Sequence, residues 1–248
     1  MSSLNVIFAT LEFGHENWDA YDESFQFGRA HARLGATVRE DMMARLKIYG
    51  TPRSRAFRTL GLAKELGLDY DNIGVDFATG ETRQPPYLAI NPNGHVPAID
   101  DNGFVLWESM AINLYLAKKY GHGTLYPTSL EDEARAWQWS LWGMTELEHH
   151  VLTAMFNRAI YPEDKRDAAA ADAAEKELQH PLGVLDGAVT KTPYLLGDTF
   201  TVADLNVAAI LSWARPARID FGPFPKAADW LGRCALRPAA KAARDLQR

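Results

Sequence analysis

The chain has 248 residues, of which 47% are hydrophobic, and its formal net charge is −6 at pH 7. This composition is typical of one large or two ordinary globular domains, and the negative charge gives no general attraction to nucleic acid or anionic membranes. No apolar run reaches the roughly 20 residues of a membrane-spanning helix. A single cysteine, Cys234, excludes an intramolecular disulfide and favours a reducing compartment, so we expect a cytoplasmic protein.

Residues 1–43 have no clear hydrophobic period, which makes their structure the hardest to predict. The segment lacks the basic start and apolar core of a secretory signal. We interpret it as a loosely ordered N-terminal extension. The alternative is a strand and a helix that dock on the domain that follows.

From residue 44 onward the local pattern becomes regular. Leu46–Tyr49 is predicted as a strand, Ser54–Leu66 as an amphipathic helix that ends at Gly67, and Tyr70–Phe77 as a second strand. A β-α-β unit of this kind pairs its strands in parallel through a right-handed crossover.

A β-hairpin is predicted around the turn Asp101–Gly103, between the apolar runs Ala98–Ile99 and Phe104–Leu106. Pro97 stands directly before the first of these strands, where it removes a donor from the ladder. We therefore expect a cis bond at Pro97, which would bend the chain and expose the preceding backbone.

Glu108 and Ser109 stand where the next helix begins, and that helix runs to Tyr120. A helix start of this kind brings a carboxylate, a hydroxyl and free backbone N–H groups into one place. Such a corner is suited to binding the charged end of a small ligand.

After a linker over residues 124–130, no strand signals remain in the sequence. Helices are predicted over residues 131–160, 163–189, 205–213, 229–233 and 238–246. Thr201–Asp204 matches a capping box, with Asp in place of the usual Glu. Trp137, Trp139 and Trp142 lie close together in the longest helix, which predicts a heavily packed helical core.

These features, in this order, resemble those of the cytosolic glutathione transferases over about residues 44–246. The matching motifs are Tyr49–Ser54 after the first strand, Asn91–Pro97 before the hairpin, Glu108–Ser109 at a helix start, and Thr201–Asp204 in the helical part. No tyrosine or cysteine stands in the usual activating place after the first strand, so the likeness is to serine-type, bacterial members.

The resemblance implies a thioredoxin-like α/β domain over residues 44–123 that binds glutathione, followed by an all-α domain over residues 131–248 that binds an electrophile. It implies an enzyme, a glutathione S-transferase, that uses glutathione as a co-substrate to attack a small electrophilic molecule in detoxification. It also implies a homodimer.

The resemblance further implies a role for each residue of the glutathione site. Val96 would pair its backbone N–H and C=O with the cysteinyl part of glutathione, in the geometry that a cis Pro97 gives. Glu108 and Ser109 would bind the γ-glutamyl end. His95 stands where relatives often carry a basic residue near the glycyl carboxylate, although histidine is only partly charged at neutral pH.

Ser54 would donate a hydrogen bond to the glutathione sulfur. A free thiol with a pKa near 8.5 is only about 3% thiolate at pH 7, and thiolate is the nucleophile. Lowering that pKa by about two units requires roughly 2.7 kcal/mol. One hydrogen bond to a charged group contributes about 1.5–3 kcal/mol, and a helix N-terminus adds about 0.3–1 kcal/mol.

Plainer alternatives exist for the same residues. Ser54 is also a good helix cap, and one residue can hold both roles. Glu108 and Ser109 are also explained as ordinary capping. His150 is a candidate for the electrophile site. It lies four residues from Glu146 on a helix, but no third ligand is evident, so no metal site is predicted.

Two other functions remain open from the sequence. The first is a different glutathione-dependent reaction, namely isomerisation, dehalogenation, ether cleavage or peroxide reduction. The second is a non-catalytic module that uses the same fold to bind another protein. The intact set of motifs argues against this second function.

Overall fold

The computed structural model describes residues 46–246, and the predicted extension over residues 1–43 lies outside them. Four short strands form one mixed sheet in the order β2-β1-β3-β4. Their bounds are β1 (Leu46–Tyr49), β2 (Tyr70–Ile73), β3 (Ala98–Asp101) and β4 (Phe104–Trp107). β1 is parallel to β2 and antiparallel to β3, and β3 is antiparallel to β4. This is the thioredoxin-like topology that the sequence predicted.

Helices make up most of the rest of the described chain. They are α1 (Ala56–Glu65), α2 (Pro85–Leu88), α3 (Ser109–Tyr120), α4 (Leu130–Trp142), α5 (His149–Met155), α6 (Ala168–Ala188), α7 (Val202–Leu211), α8 (Pro225–Leu236) and α9 (Pro238–Asp245). From α4 onward the described chain is helical with no strand, which confirms the predicted order of an α/β domain and an all-α domain. None of the helices within residues 46–246 has both the length and the apolarity that crossing a bilayer requires.

The hairpin forms as predicted, because Asn102 and Gly103 both adopt positive φ (57° and 90°), the geometry that a two-residue hairpin turn requires. β2 is shorter than predicted and ends at Ile73. The N–H of Val75 donates to the carbonyl of Ile73 (2.8 Å), so the chain turns at Gly74 instead of continuing the ladder.

The long helix predicted over residues 131–160 is continuous but not uniform. Two π-helical stretches, Gly143–Glu148 and Phe156–Ile160, flank α5. Such wide turns re-aim the side chains that they carry and are frequent at functional sites. The first of them projects Met144 and Glu148 toward α1.

A buried ladder of polar side chains joins the sheet domain to the helical domain. Thr59 on α1 donates to Asn113 on α3 (3.0 Å), Asn113 donates to Asn206 on α7 (2.8 Å), and Asn206 donates to Ser140 on α4 (2.9 Å). Each of these groups is buried and hydrogen-bonded, so the ladder fixes how the helices pack on one another.

The start of α7 is closed by the predicted capping box of Thr201 and Asp204. The prediction of a packed tryptophan core was wrong for Trp137, whose side chain is 49% exposed on α4. The indole N–H of Trp137 donates to the hydroxyl of Tyr126 (3.0 Å), while the ring faces solvent.

Candidate functional site

Ser54 lies at the start of α1 and is 8% exposed. Its hydroxyl donates to the carbonyl of Thr51 (2.7 Å) and accepts from the backbone N–H of Ala56 (3.1 Å). The backbone N–H of Ser54 donates to the same Thr51 carbonyl (3.0 Å). The Ser54 side chain therefore caps the first turn of the helix, as the plainer alternative expects. Its hydroxyl proton is already donated to the Thr51 carbonyl.

Gly50 allows three segments to meet beside Ser54. Its φ is +125°, and a Cβ built on it would lie 2.7 Å from the Cβ of Ala56 and 3.0 Å from the Cβ of Val96. No side chain fits in that space. The end of β1, the start of α1 and the loop before β3 are consequently in direct contact, which places Val96 near Ser54.

The Val96–Pro97 bond is cis, as predicted. Two hydrogen bonds to the carbonyl of His95 fix the loop before this bond. The donors are the hydroxyl of Tyr87 and the side-chain amide of Asn91 (2.7 Å each). Within residues 46–246, the backbone N–H and C=O of Val96 hydrogen bond to no backbone or side-chain group. The His95 side chain is exposed.

Glu108 and Ser109 form the start of α3, and the two residues are in different environments. Glu108 is exposed and adopts φ 74° and ψ 114°, a region that a residue with a long side chain rarely occupies. Ser109 is buried as the first residue of the helix. Backbone strain of this kind persists only where the surroundings impose it, and it is concentrated at ligand sites.

Arg58, one turn after Ser54, links the start of α3 to the helical domain. One terminal nitrogen, Nη1, donates to the hydroxyl of Ser109 (3.3 Å) and to Oε2 of Glu148 (2.8 Å). The other oxygen of Glu148 accepts from Nε of Arg55 (2.5 Å). Two guanidiniums of the first domain thus share one carboxylate of the second.

This group of three charges has a net charge of +1 close to the start of α1. Burial alone would raise the pKa of Glu148, but the guanidiniums of Arg58 and Arg55 outweigh it and hold that pKa below its ordinary value. Burial lowers the pKa of Arg58, and Glu148 opposes this. Guanidiniums stay protonated in proteins, so all three groups are ionised at neutral pH.

The structure brings together Ser54, Val96 and Ser109, through Gly50 and Arg58. Within residues 46–246, no described contact joins His150 to these three residues. The ring of His150 stacks edge-on against His149 (5.5 Å between centroids), and no hydrogen bond or ion pair joins it to the sheet domain among the described residues. Two positions separate it from Glu148, so it projects from another side of the helix. Its place in the electrophile site stays a prediction.

Sequence reasoning missed Arg58 and Glu148, although a signal was present for each. Arg58 lies four residues after Ser54, hence on the same face of α1. Glu148 lies four residues after Met144, on the apolar face of its helix. A charged residue on an apolar face is almost never buried without a partner. Within the described part of the chain, no cluster of three or more acidic, histidine or cysteine side chains is arranged to hold a metal ion.

Two protein-family models match this chain. Residues 44–118 match the family model of the glutathione S-transferase N-terminal domain, and residues 145–238 match that of the C-terminal domain. Glutathione S-transferase 3 of Zea mays is 38% identical over 210 residues, which cover 79% of this chain and 92% of the relative. Glutathione S-transferase GstB of Escherichia coli is 32% identical over 180 residues, covering 72% and 86%.

Among solved structures, one similar chain is the theta class glutathione S-transferase from Xanthomonas axonopodis pv. citri, crystallised with glutathione bound. The two chains are 31% identical and superpose with a TM-score of 0.76, over 80% of this chain and 96% of the other.

Proposed function

The chain belongs to the glutathione S-transferase family and is an enzyme that uses glutathione as its co-substrate, and we propose that Ser54 stabilises the glutathione thiolate. The observation that supports this role is the position of the Ser54 hydroxyl. It lies at the start of α1, two residues before Ala56, which packs with Val96 around Gly50, and one helical turn before Arg58.

The Ser54 hydroxyl must change its partner to act on sulfur. It now donates to the Thr51 carbonyl, and a hydroxyl has one proton to donate. Exchanging a neutral hydrogen bond, worth about 0.5–1.5 kcal/mol, for one to a thiolate, worth about 1.5–3 kcal/mol, leaves a gain of about 1 kcal/mol. The Thr51 carbonyl still accepts a hydrogen bond from the backbone N–H of Ser54, so this carbonyl is not left without a partner.

This gain is less than the roughly 2.7 kcal/mol that two pKa units require. The helix start contributes about 0.3–1 kcal/mol more. We assign the remainder to the net positive charge of Arg55, Arg58 and Glu148. Thiolate stabilisation is therefore shared between one hydroxyl and a cationic group, with no general base.

The contacts proposed for the rest of the glutathione molecule use polar groups of the site that can still donate or accept a hydrogen bond. The free N–H and C=O of Val96 would pair with the cysteinyl backbone, and the carboxylate of Glu108 would meet the γ-glutamyl ammonium. The hydroxyl of Ser109, polarised by Arg58, would donate to the γ-glutamyl carboxylate. His95, exposed beside this loop, would approach the glycyl carboxylate, and Pro97 shapes the backbone that Val96 presents.

The experiment is steady-state conjugation of a chloronitrobenzene-type electrophile by Ser54→Ala. We expect kcat/KM to fall about five- to tenfold, because the net gain of about 1 kcal/mol from the hydrogen bond to the thiolate is lost. Ser129→Ala is the matched control, since Ser129 caps α4 by accepting from the N–H of Asp132 (3.1 Å). An unchanged kcat/KM in Ser54→Ala, or an equal fall in the control, would refute the role.

We also propose that the protein is a homodimer that pairs through β4 and α4. Large apolar side chains are exposed on both elements: Phe104, Val105, Trp107, Trp137 and Leu141. β4 is an edge strand, and such an edge with apolar side chains is normally covered. Sedimentation velocity should find a dimer for the wild type and a monomer for Trp137→Glu.

Val184→Glu provides the control for the dimer, because Val184 is an exposed apolar residue on α6, away from both elements. A monomeric wild type, or a dimer that persists in Trp137→Glu, would exclude this interface.

We further propose a cytoplasmic location, because reduced glutathione is kept in reducing compartments and the one thiol of the chain, Cys234, is free and buried.

A further inference from the structure

Two buried side chains converge on the backbone carbonyl of His95, one residue before Val96. The hydroxyl of Tyr87 and the side-chain amide of Asn91 each donate to this oxygen at 2.7 Å. Both residues are almost fully buried, with 4% and 2% of their surface exposed. A carbonyl oxygen has two lone pairs, so these two donors satisfy it completely.

The two hydrogen bonds fix the direction of the peptide group between His95 and Val96. This peptide bond is trans, and the cis bond is the next one along the chain. The C=O and the N–H of a planar trans peptide point in opposite directions. Because the His95 carbonyl is held toward Tyr87 and Asn91, the N–H of Val96 points away from them.

The N–H that is directed in this way is not used by the described chain. Within residues 46–246, neither backbone group of Val96 hydrogen bonds to the backbone or to a side chain. Hydrogen bonds in a chain polarise one another, so two donors on the carbonyl strengthen the N–H of the same peptide as a donor. The peptide group of Val96 is therefore a directed and polarised donor that a ligand can complete.

Other contacts hold the loop in place without the Tyr87 hydroxyl. The carbonyl of Tyr87 accepts from the backbone N–H of Asn91 (2.9 Å), and Oδ1 of Asn91 accepts from the N–H of Asn93 (3.0 Å). Gly94 adopts φ +61°, and a Cβ built on it would lie 2.7 Å from the carbonyl oxygen of Thr82. Removing the hydroxyl alone should therefore leave the path of the backbone intact.

We propose that Tyr87 and Asn91 are positioning residues for glutathione, because they direct and polarise the Val96 N–H that meets the cysteinyl carbonyl. This inference rests on the proposed pairing of Val96 with glutathione. Neither side chain has to touch the ligand, since each acts through the peptide group. Burial raises the pKa of Tyr87 to about 12, so its hydroxyl keeps its proton and donates at neutral pH.

The test is isothermal titration of the full chain with two thiol probes, γ-glutamylcysteinamide and γ-glutamylcysteamine. Both probes carry the γ-glutamyl group and the thiol, and only the first has the cysteinyl carbonyl. We expect the wild type to bind the first probe about tenfold more tightly, because only that probe accepts from the Val96 N–H. Equal binding of the two probes by the wild type would refute the pairing of Val96 itself, and this inference with it.

Tyr87→Phe removes the hydroxyl and keeps the ring, which packs edge-on against Tyr49 (6.3 Å between centroids). We expect the preference for γ-glutamylcysteinamide to fall to about threefold, because the Val96 N–H is less firmly directed and less polarised. γ-Glutamylcysteamine should bind as it does to the wild type. A preference that stays tenfold would overturn the inference and leave the pairing of Val96 standing, and an equal loss for both probes would show a role in folding alone.

Asn91→Asp removes the second donor and keeps an oxygen for the N–H of Asn93. It should lower the preference between the probes at least as much as Tyr87→Phe does. Tyr126→Phe is the matched control, since Tyr126 is 1% exposed and its hydroxyl donates to Glu133 (2.8 Å), outside the glutathione site. The control should keep the preference of the wild type, and an equal fall in the control would overturn the inference.

Steady-state kinetics with the chloronitrobenzene-type electrophile provide an independent readout. In Tyr87→Phe, KM for glutathione should rise about threefold while kcat stays the same, because the contact that is weakened is made equally in the bound substrate and in the transition state. A fall in kcat with KM unchanged would place the hydroxyl in the reaction of the sulfur and contradict its action through Val96.

Discussion

Two helix starts in this molecule use the same kinds of residue and differ in how far their polar groups are satisfied. At the start of α7, Asp204 is fully buried. It accepts from the N–H of Leu195 (2.8 Å), the N–H and hydroxyl of Thr201 (3.0 and 3.1 Å) and the indole of Trp230 (2.8 Å). At the start of α3, Glu108 is exposed at φ 74°, and its side chain accepts no hydrogen bond from the first turn of the helix.

The difference separates structural capping from ligand binding. The start of α7 is completed by its own chain, so it has no capacity left for a ligand. The start of α3 leaves the exposed carboxylate of Glu108 available beside a strained backbone, while Ser109 is buried against Arg58. An open carboxylate on strained backbone is the condition in which a ligand completes the hydrogen bonding. The presence of an acid and a hydroxyl at a helix start does not distinguish a structural cap from a ligand site. The burial and the hydrogen-bond partners of those side chains do distinguish them.

The first way to test this comparison is Asp204→Ala. Removing the carboxylate leaves the buried N–H groups of Leu195 and Trp230 without partners, so we expect the free energy of unfolding to fall by about 3–5 kcal/mol. Asp132→Ala is the control, because Ser129 and Asp132 form a similar but only partly buried capping pair on α4.

Urea unfolding should show a loss of only about 0.5 kcal/mol in Asp132→Ala. Similar losses in the two variants would mean that burial does not distinguish the α7 start from an ordinary cap.

The features that could be predicted from the sequence are those determined by residues close together in the chain. Turn residues such as Asn102 and Gly103 specify the hairpin, and the cis bond before Pro97 is signalled by a proline where a strand begins. Arg58 and Glu148 are 90 residues apart, and neither has a local pattern that names the other. Their pairing depends on the packing of two domains and on a π-helical turn, which hydrophobic periodicity does not indicate.

A second test compares the acids Glu148 and Asp204 through pH. Glu148→Gln should lower the free energy of unfolding by about 2 kcal/mol near neutral pH, because a charged partner of Arg58 is lost. The folded pKa of Glu148 lies below 4.5. The stability that its ionisation gives is present above that value, and is lost as pH falls through the folded pKa.

The pH dependence of stability that comes from Asp204 should have the opposite sign. Burial raises the folded pKa of Asp204 above 3.8, so ionisation of this carboxyl opposes folding. Between about pH 7 and pH 4, the advantage of wild type over Glu148→Gln should shrink on acidification, while wild type should improve relative to Asp204→Asn. Urea unfolding across that range measures both. Slopes of the same sign would contradict the assigned environments.

The smallest effect is expected for Glu108→Gly. Glycine adopts positive φ without strain, so the free energy of unfolding should rise by about 1 kcal/mol, while KM for glutathione rises about tenfold from the lost carboxylate. Asn102→Gly is the control, since Asn102 also has positive φ, in a turn outside the site. It should leave KM unchanged. A stability loss in Glu108→Gly would show that the conformation is not strained.

The most direct measurement is the pKa of the bound glutathione thiol, followed by the ultraviolet absorbance of the thiolate as pH is varied. In the wild type it should lie about two units below the free value near 8.5, and in Ser54→Ala about one unit higher than in the wild type, since one unit corresponds to about 1.4 kcal/mol. A bound thiol with the same pKa in wild type and Ser54→Ala would contradict the assignment of Ser54 as the residue that stabilises the thiolate.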